Sequence, residues 1–389
     1  MKRFLLGQLC MNGDCLYATI LARQIKHDHP GSHLTWAVSS ACRSMIENNP
    51  DVDDIWEIPA YKRYEQEATW YLFENVAMRR QQAGEFDRIY LPQLWPNGMH
   101  NFDGTIRPSM LRVYCKPITV PIQCILNLRP EEISRVEAFA REHELHKYRH
   151  RLIFESNSMS GQSFFNPHMA EFIAEMVVMQ EHDACVMLAS NDPVKSTMKG
   201  VIDASRLSIR EIGALAKHAT LFVGSASGLT VVTQSTAGQR LPMIQLLSGD
   251  KSVFASFVHD HRYWGLPDDD MIELVDVPQS MVIRCIRDAL NGGIEAARQK
   301  HHMEIDLTFD YYLSNMREQL LSKNRYIDAM QSLSITAARY GWLPDLLAIA
   351  IYNVIPGLLR DPRTDLTEIR LKAEAFAQDV TARWREIGG

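Results

Sequence analysis

A chain of 389 residues has room for two domains with full cores, at roughly 150 residues per domain. Its 46% hydrophobic and 23% charged residues are those of an ordinary soluble globular protein, and a formal charge of −6 excludes the basic signature of nucleic-acid or anionic-lipid binders. No stretch reaches the roughly 20 apolar residues of a membrane span, and the apolar run that opens the chain is too short for a signal peptide. The cysteines (Cys10, Cys15, Cys42, Cys115, Cys124, Cys185, Cys285) are odd in number and contain no CxxC pair, so reduced, mostly buried thiols are expected.

Taken in order, Arg3 to Leu9 reads as a strand and Gln8 to Asp14 as a loop holding Asn12-Gly13-Asp14. A helix follows from about Cys15 to His29, with Leu16, Ile20, Leu21 and Ile25 on one face, and Pro30-Gly31 ends it. Strands at Leu34–Val38 and Asp54–Ile58, with a short helix at Ala41–Asn48 between them, complete a βαβαβ half of a doubly wound fold. Tyr61 to Gln82 is helical and Asp87 to Leu91 a further strand. The loop Gln93 to Pro108, heavy in Trp, Pro, Asn and Gly, is either the wall of a binding site or a surface excursion packed by Trp95 and Phe102.

Pro130-Glu131-Glu132 opens a helix with proline and acids in its first turn, and the alternation of strand and helix restarts after it. Strands are expected at Arg151–Glu155, Ala184–Leu188, Thr220–Val223, Met243–Leu247 and Met271–Val275, with helices at Pro167–Gln180, Leu207–Ala219, Leu229–Ala237 and Val277–Asn291. Ser156 to Asn166 and the segment after Gly249, with His259, His261, Arg262, Tyr263 and Trp264, read as polar loops. The last stretch changes character. Leu307–Lys323, Tyr326–Tyr340, Leu343–Leu359 and Leu366–Ile387 all carry helical periodicity, and the apolar run Leu346–Leu359 is a core helix or a surface for a partner or membrane.

The chemistry concentrates in Gly224-Ser225-Ala226-Ser227-Gly228, between a strand's carboxyl end and a helix's amino end. Such a turn can aim backbone N–H groups and the positive end of a helix dipole at a phosphate, with Ser225, Ser227 and Thr230 adding hydroxyls. The same residues can equally just make a tight turn and cap the helix. Other constellations read more plainly. His259-x-His261 lacks a nearby third ligand and reads as polar loop, Asp268-Asp269-Asp270 as a solvated turn, and His301-His302 as surface. Ser227 is not a nucleophile elbow, because Ser225 stands where GxSxG needs glycine.

Gly13-Asp14 with Leu16, Ala18-Thr19 and Ala22, then Pro30-Gly31 and Asn49-Pro50-Asp51-Val52-Asp53, resembles the amino-terminal signature of glycosyltransferase family 9, the ADP-heptose:lipopolysaccharide heptosyltransferases and their relatives. Leu207-Ser208-Ile209-Arg210-Glu211, Leu221-Phe222-Val223-Gly224, Ser227-Gly228-Leu229 and Pro242 resemble its carboxy-terminal signature, in the family's order and separation. The resemblance spans roughly residues 1 to 295. It implies an α/β chain of GT-B architecture, two Rossmann-like doubly wound domains facing across a cleft. On this reading residues 1–128 form the acceptor-side domain, 129–300 the nucleotide-sugar domain and 301–389 a C-terminal helical extension.

The resemblance further implies inverting, metal-independent transfer from a nucleotide diphosphate sugar, ADP-heptose-like or other, with that sugar as co-substrate and no cofactor. Asp14 is then the general base, and Ser225, Ala226, Ser227, Gly228, Leu229 and Thr230 hold the donor diphosphate. Asn12, Gly13, Asn157, Ser158, Lys195, Glu211 and Arg262 are candidate donor or acceptor contacts, Glu211 having the alternative of a structural role in its helix. The acceptor is a bacterial glycan, a lipid-linked saccharide or a protein, the location cytoplasmic or peripheral on the inner membrane, and self-association through the C-terminal helices a further expectation. The chain departs from the pattern where Ala226 and Val231 replace the family's usual Asp and His, which keeps open a non-catalytic glycan- or nucleotide-binding module, with a sugar-nucleotide epimerase as the other alternative.

Overall fold

The computed structural model describes every residue except 157–160, 252–254, 306–307 and 389. Two parallel sheets dominate it, because short apolar runs such as Phe4-Leu5-Leu6 and Leu221-Phe222-Val223 are buried on both faces. The first sheet has four strands, β1 (Arg3–Gly7), β2 (His33–Ser39), β3 (Asp54–Ile58) and β4 (Arg88–Tyr90), in the order β3-β2-β1-β4. The second has six, β5 (His150–Glu155), β6 (Ala184–Ala189), β7 (Val201–Asp203), β8 (Leu221–Gly224), β9 (Met243–Leu247) and β10 (Met271–Val275), ordered β10-β9-β8-β5-β6-β7. That is the doubly wound order, with its reversal between β5 and β8.

The helices that matter for the site are α1 (Asn12–Tyr17), α2 (Thr19–Asp28), α3 (Gln66–Gln82) and α4 (Arg107–Leu111) in the first domain. In the second they are α5 (Pro130–Glu142), α6 (Pro167–Gln180), α7 (Ile209–Leu215), α8 (Gly228–Thr233) and α9 (Phe257–Trp264). Three local expectations are corrected. Helix formation starts at Asn12, three residues before the expected start at Cys15. Ala41–Asn48 shortens to a single turn, Arg43–Met45. The polar loop after Gly249 contains helix α9, capped where Ser256 Oγ accepts from His259 N and Glu273 accepts from the N–H groups of Phe257 and Val258. Strand β7 was invisible to periodicity, since three residues are too few to show any.

The segment between the domains is held on both sides. Gln24 Oε1 accepts from Thr119 N and Val120 N, Thr19 Oγ1 accepts from Ile125 N, and Thr236 Oγ1 of the second domain accepts from Leu126 N. Arg210 of α7 pairs with Glu132 of α5 at 2.7 Å and also donates to the carbonyls of Ser44 and Asn127. Both side chains of this pair are buried.

The C-terminal helices lie on the first domain. Met99 and Phe102 of the Gln93–Pro108 loop share one core with Tyr312, Leu333, Leu346 and Phe376, so the loop is a docking bed rather than a surface excursion. Trp95 Nε1 donates to Gln319 at 3.0 Å, and Arg325 donates to the carbonyls of Pro96 and Asn97. The apolar run near the end is a core element, with Leu346, Leu347, Ile349, Ala350, Val354 and Leu358 buried. No helix among the described residues is long and apolar enough to cross a membrane.

Candidate active site

The two stretches singled out by sequence meet face to face. Chain leaving β1 passes Met11, whose φ is 68°, and enters α1, which packs along α8. At the point of closest approach a Cβ on Gly13 would stand 2.8 Å from Gly228 Cα, and one on Gly228 would stand 3.0 Å from Gly13 N. Both neighbours are backbone, so only glycine at both positions lets the domains touch. Gly13→Ala is therefore expected to push the domains apart at a cost of about 1–3 kcal/mol. Urea unfolding would measure it, with Gly292→Ala, whose new Cβ meets nothing nearer than 3.7 Å, as the control.

Asp14 sits in the first turn of α1, half-buried beside this contact, and its side chain makes no capping bond. Burial pushes its carboxyl up to about 6, and the nearby Arg107 guanidinium pulls in the opposite direction. Such a group is ionised at neutral pH yet basic enough to take a proton. The Oδ1 of Asn12, one residue before Gly13, is buried and finds no hydrogen-bond partner among the described residues.

Across the contact, the turn after β8 is braced from behind. Ser225 donates through N (3.0 Å) and Oγ (2.6 Å) to Glu155 at the end of β5, and Ala226 N donates to Gln245 Oε1 at 2.7 Å. Ala226 holds a left-handed φ of 54°, which reverses the chain towards Ser227. Ser227 Oγ accepts from Leu229 N as the cap of α8, and the buried Thr230 Oγ1 has no hydrogen-bond partner among the described residues. The N–H groups of Ser225, Ala226 and Leu229 are thus engaged internally. The face left to a ligand narrows to Ser227 and Gly228, because Thr230, also expected at the diphosphate, is fully buried.

Below this contact lies a cavity of about 430 Å³, counting the part open to solvent, between Tyr17 of α1, Val231 of α8, Cys124, and Phe257 and Trp264 of α9. Arg107 of α4 forms one wall with Asp260 of α9. The two are buried and ion-paired across the domains, and the guanidinium lies 3.8 Å from the Phe257 ring centroid. Sequence reading singled out neither residue.

No family model and no curated protein matches the sequence. Among solved structures, the chain is similar to a family 9 glycosyltransferase from Veillonella parvula, 13% identical over 77% of this chain and 94% of that one, with a TM-score of 0.51. E. coli ADP-heptose lipopolysaccharide heptosyltransferase II (14%, 75% and 98%, TM-score 0.49) and E. coli heptosyltransferase WaaC with ADP (12%, 74% and 99%, TM-score 0.47) are further matches. The Veillonella match joins the doubly wound strand order and the two facing sheets. The fold is GT-B.

Within this GT-B frame the remaining candidates separate. Asn157 and Ser158 lie outside the described residues. Lys195 is exposed on the loop after β6. Glu211 is buried, reciprocates the Ser208 cap of α7 by accepting from Ser208 N at 2.8 Å, and meets Arg135 at 3.0 Å, all of which is structural. Arg262 is gripped by Glu304 (2.8 and 2.9 Å) and Asp268 (2.9 Å). His259 and His261 belong to α9 rather than to a loop, with His261 Nδ1 2.7 Å from the carbonyl of Pro267. The Asp268–Asp270 turn is ion-paired to Arg240, Arg262 and Arg298 rather than merely solvated. His301 is buried against Asp288 at 2.7 Å, which corrects its surface reading. Among the described residues, no group of His, Cys, Asp or Glu is placed to hold a metal ion.

Proposed function

We propose that the protein is an inverting glycosyltransferase that moves a sugar from a nucleotide diphosphate donor to a hydroxyl of a bacterial glycan, a lipid-linked saccharide or a protein. The observation that carries this reading is Asp14, a half-buried carboxyl raised to about 6, fixed where the first domain touches the Ser227–Gly228 turn of the second. Asp14 takes the acceptor hydroxyl's proton as that oxygen attacks the anomeric carbon. The bond from the anomeric carbon to the diphosphate oxygen breaks, and configuration inverts. The departing negative charge falls on Ser227 and Gly228 at the amino end of α8, while Ser225 and Ala226 hold the turn in shape. The division into domains 1–128 and 129–300 with a helical extension 301–389 belongs to this proposal, as does a place at the inner face of a membrane.

The test is a thermal-shift screen of nucleoside diphosphates and their sugars, with and without divalent metal. One diphosphate is expected to raise the melting temperature without metal, by about 2.7 kcal/mol of linkage at a hundred times its Kd. The stabilising sugar nucleotide should then release its diphosphate slowly, and Asp14→Asn should stop that release. Stabilisation without release would favour the binding-module reading prompted by Ala226 and Val231. No shift with any nucleotide would overturn the diphosphate site.

A further inference from the structure

We propose that the outer face of α3 docks on a membrane surface, its apolar side chains entering the acyl boundary and its unpaired cations meeting anionic headgroups. Helix α3 is apolar on two opposite faces. Trp70, Phe73 and Ala77 repeat at helical spacing and are buried in one cluster with Leu5 and Ala37 of the first sheet. Half a turn round the helix, Tyr71, Leu72, Val76 and Met78 stand in solvent, Leu72 being 70% exposed. Tyr64, 77% exposed, extends the row into the turn Arg63–Glu65 that precedes the helix. A surface helix ordinarily turns polar residues to water, so a second apolar face marks a contact still to be made.

Charge decides what covers it. The carboxylates of this stretch are held from within: Glu65 accepts from Lys62 N (2.7 Å), Glu67 pairs with Lys323 (2.8 Å) and Glu74 accepts from Asn97 Nδ2 (2.7 Å). Arg80 is paired with Glu85. Lys62, Arg63 and Arg79 are exposed at the two ends of the apolar row and form no ion pair among the described residues. A second copy of the chain meets these cations badly. Two-fold pairing of this face sets Arg79 against Lys62 and Arg63 when the helices run antiparallel, and each cation against its own copy when they run parallel. An anionic bilayer relieves the same charges, and tyrosine suits the boundary between water and acyl chains. The net charge of −6 opposes this only weakly, because physiological salt screens charges beyond about 8 Å.

The face adjoins the edge of the first domain that carries Asp14. All strands of the first sheet are parallel, so α3, which follows β3, starts at the edge where β1 gives way to α1. Gln66 Nε2 donates to Cys10 Sγ at 2.9 Å, which ties that start to the chain leading into α1. As a way of meeting a lipid-linked acceptor this rests on the function proposed above, but the surface stands without it.

Co-sedimentation of the full chain with vesicles tests it at physiological salt, using phosphatidylcholine alone and an equal mixture of phosphatidylcholine and phosphatidylglycerol. The wild type is expected to bind the mixed vesicles more tightly than phosphatidylcholine. Leu72→Ser should weaken that binding roughly tenfold, by loss of an inserted apolar side chain. Arg79→Gln should weaken it about fivefold on the mixed vesicles and leave phosphatidylcholine binding unchanged. Ile133→Ser, which alters an exposed apolar residue on α5 of the second domain, should have no effect. Urea unfolding checks that the three variants keep their stability, as exposed positions predict. No binding to the mixed vesicles, no effect of Leu72→Ser, or an equal loss in Ile133→Ser would overturn the proposal. Self-association without vesicles that Leu72→Ser abolishes would give the face to a second copy and overturn it too. Vesicle binding as expected with no diphosphate release would support the surface and count against the transferase reading alone.

Discussion

Asp14→Asn is expected to remove transfer while making the protein more stable at neutral pH. A positioned general base contributes about 10²- to 10⁴-fold, so diphosphate release coupled to an acceptor should fall by that factor. The stability effect follows from the direction of the shift. In the unfolded chain an Asp carboxyl loses its proton near 3.8, whereas in the fold Asp14 keeps it to about 6 because burial disfavours the charge. Below pH 3.8 both states hold the proton and the residue contributes nothing. Between 3.8 and 6 only the unfolded state releases it, so stability falls as pH rises, reaching a deficit of about 3 kcal/mol above 6. Asparagine carries no such charge. The variant should match the wild type near pH 4 and exceed it by about 1–3 kcal/mol at pH 7, in urea or thermal unfolding followed across that range. The wild-type rate should rise with pH through about 6 as the base ionises. A destabilised Asp14→Asn at pH 7 would mean that the carboxylate is a structural group.

Asp103→Ala is expected to undo the docking of the C-terminal helices. The Asp103 carboxylate is fully buried and accepts from Thr105 N (3.1 Å), Thr105 Oγ1 (2.6 Å) and Ser109 Oγ (3.0 Å), and it pairs with Arg112 and, at 2.7 Å, with Arg339 of the helix Tyr326–Tyr340. Arg339 also lies 4.4 Å from the ring centroid of Tyr263 on α9, so one cluster joins the first domain, the second domain and the extension. Removing the carboxylate strands two largely buried guanidinium groups, at a cost of about 3–5 kcal/mol. Faster hydrogen exchange over Tyr326–Tyr340 and an earlier urea midpoint would report it. The charges of Arg112 and Arg339 hold the Asp103 carboxyl below its ordinary value despite burial. Its contribution is therefore complete above the unfolded value near 3.8 and is lost as pH falls through the lower folded value, the opposite of Asp14. Unchanged exchange in the extension would show that the apolar core around Phe102 and Tyr312 holds it alone.

Most strands were legible in the sequence because a parallel strand buried on both faces is written as a short apolar run between turn residues. Asp54–Ile58, Met243–Leu247 and Met271–Val275 match their expected limits, and the others shift by a residue or two. The Gly224–Gly228 turn was legible as a candidate because it lies where a strand gives way to a helix, whereas Gly13 and Asp14 were marked by the family resemblance. The alternation of strand and helix gave two doubly wound halves, the GT-B pairing came from the family resemblance, and the strand order only from the structure.

What local pattern could not carry is contact between distant charges. Arg107 and Asp260 are 153 residues apart, and Asp103 and Arg339 are 236 apart, so in the sequence each looks like a solvated surface charge. The signals within reach were weaker: Ser256 three residues before His259 marks the start of α9, and Pro108 after Arg107 marks that of α4. Periodicity and turn chemistry act over a few residues, and they determined most strands of the two sheets and the small-residue turn after β8. Burial and electrostatic pairing act across the folded chain. Only they decided that Ser225 and Ala226 brace the turn, that Glu211 meets Arg135 and Arg262 meets Glu304, and that the extension closes over the Gln93–Pro108 loop, because a buried charge must find its partner wherever the fold places it.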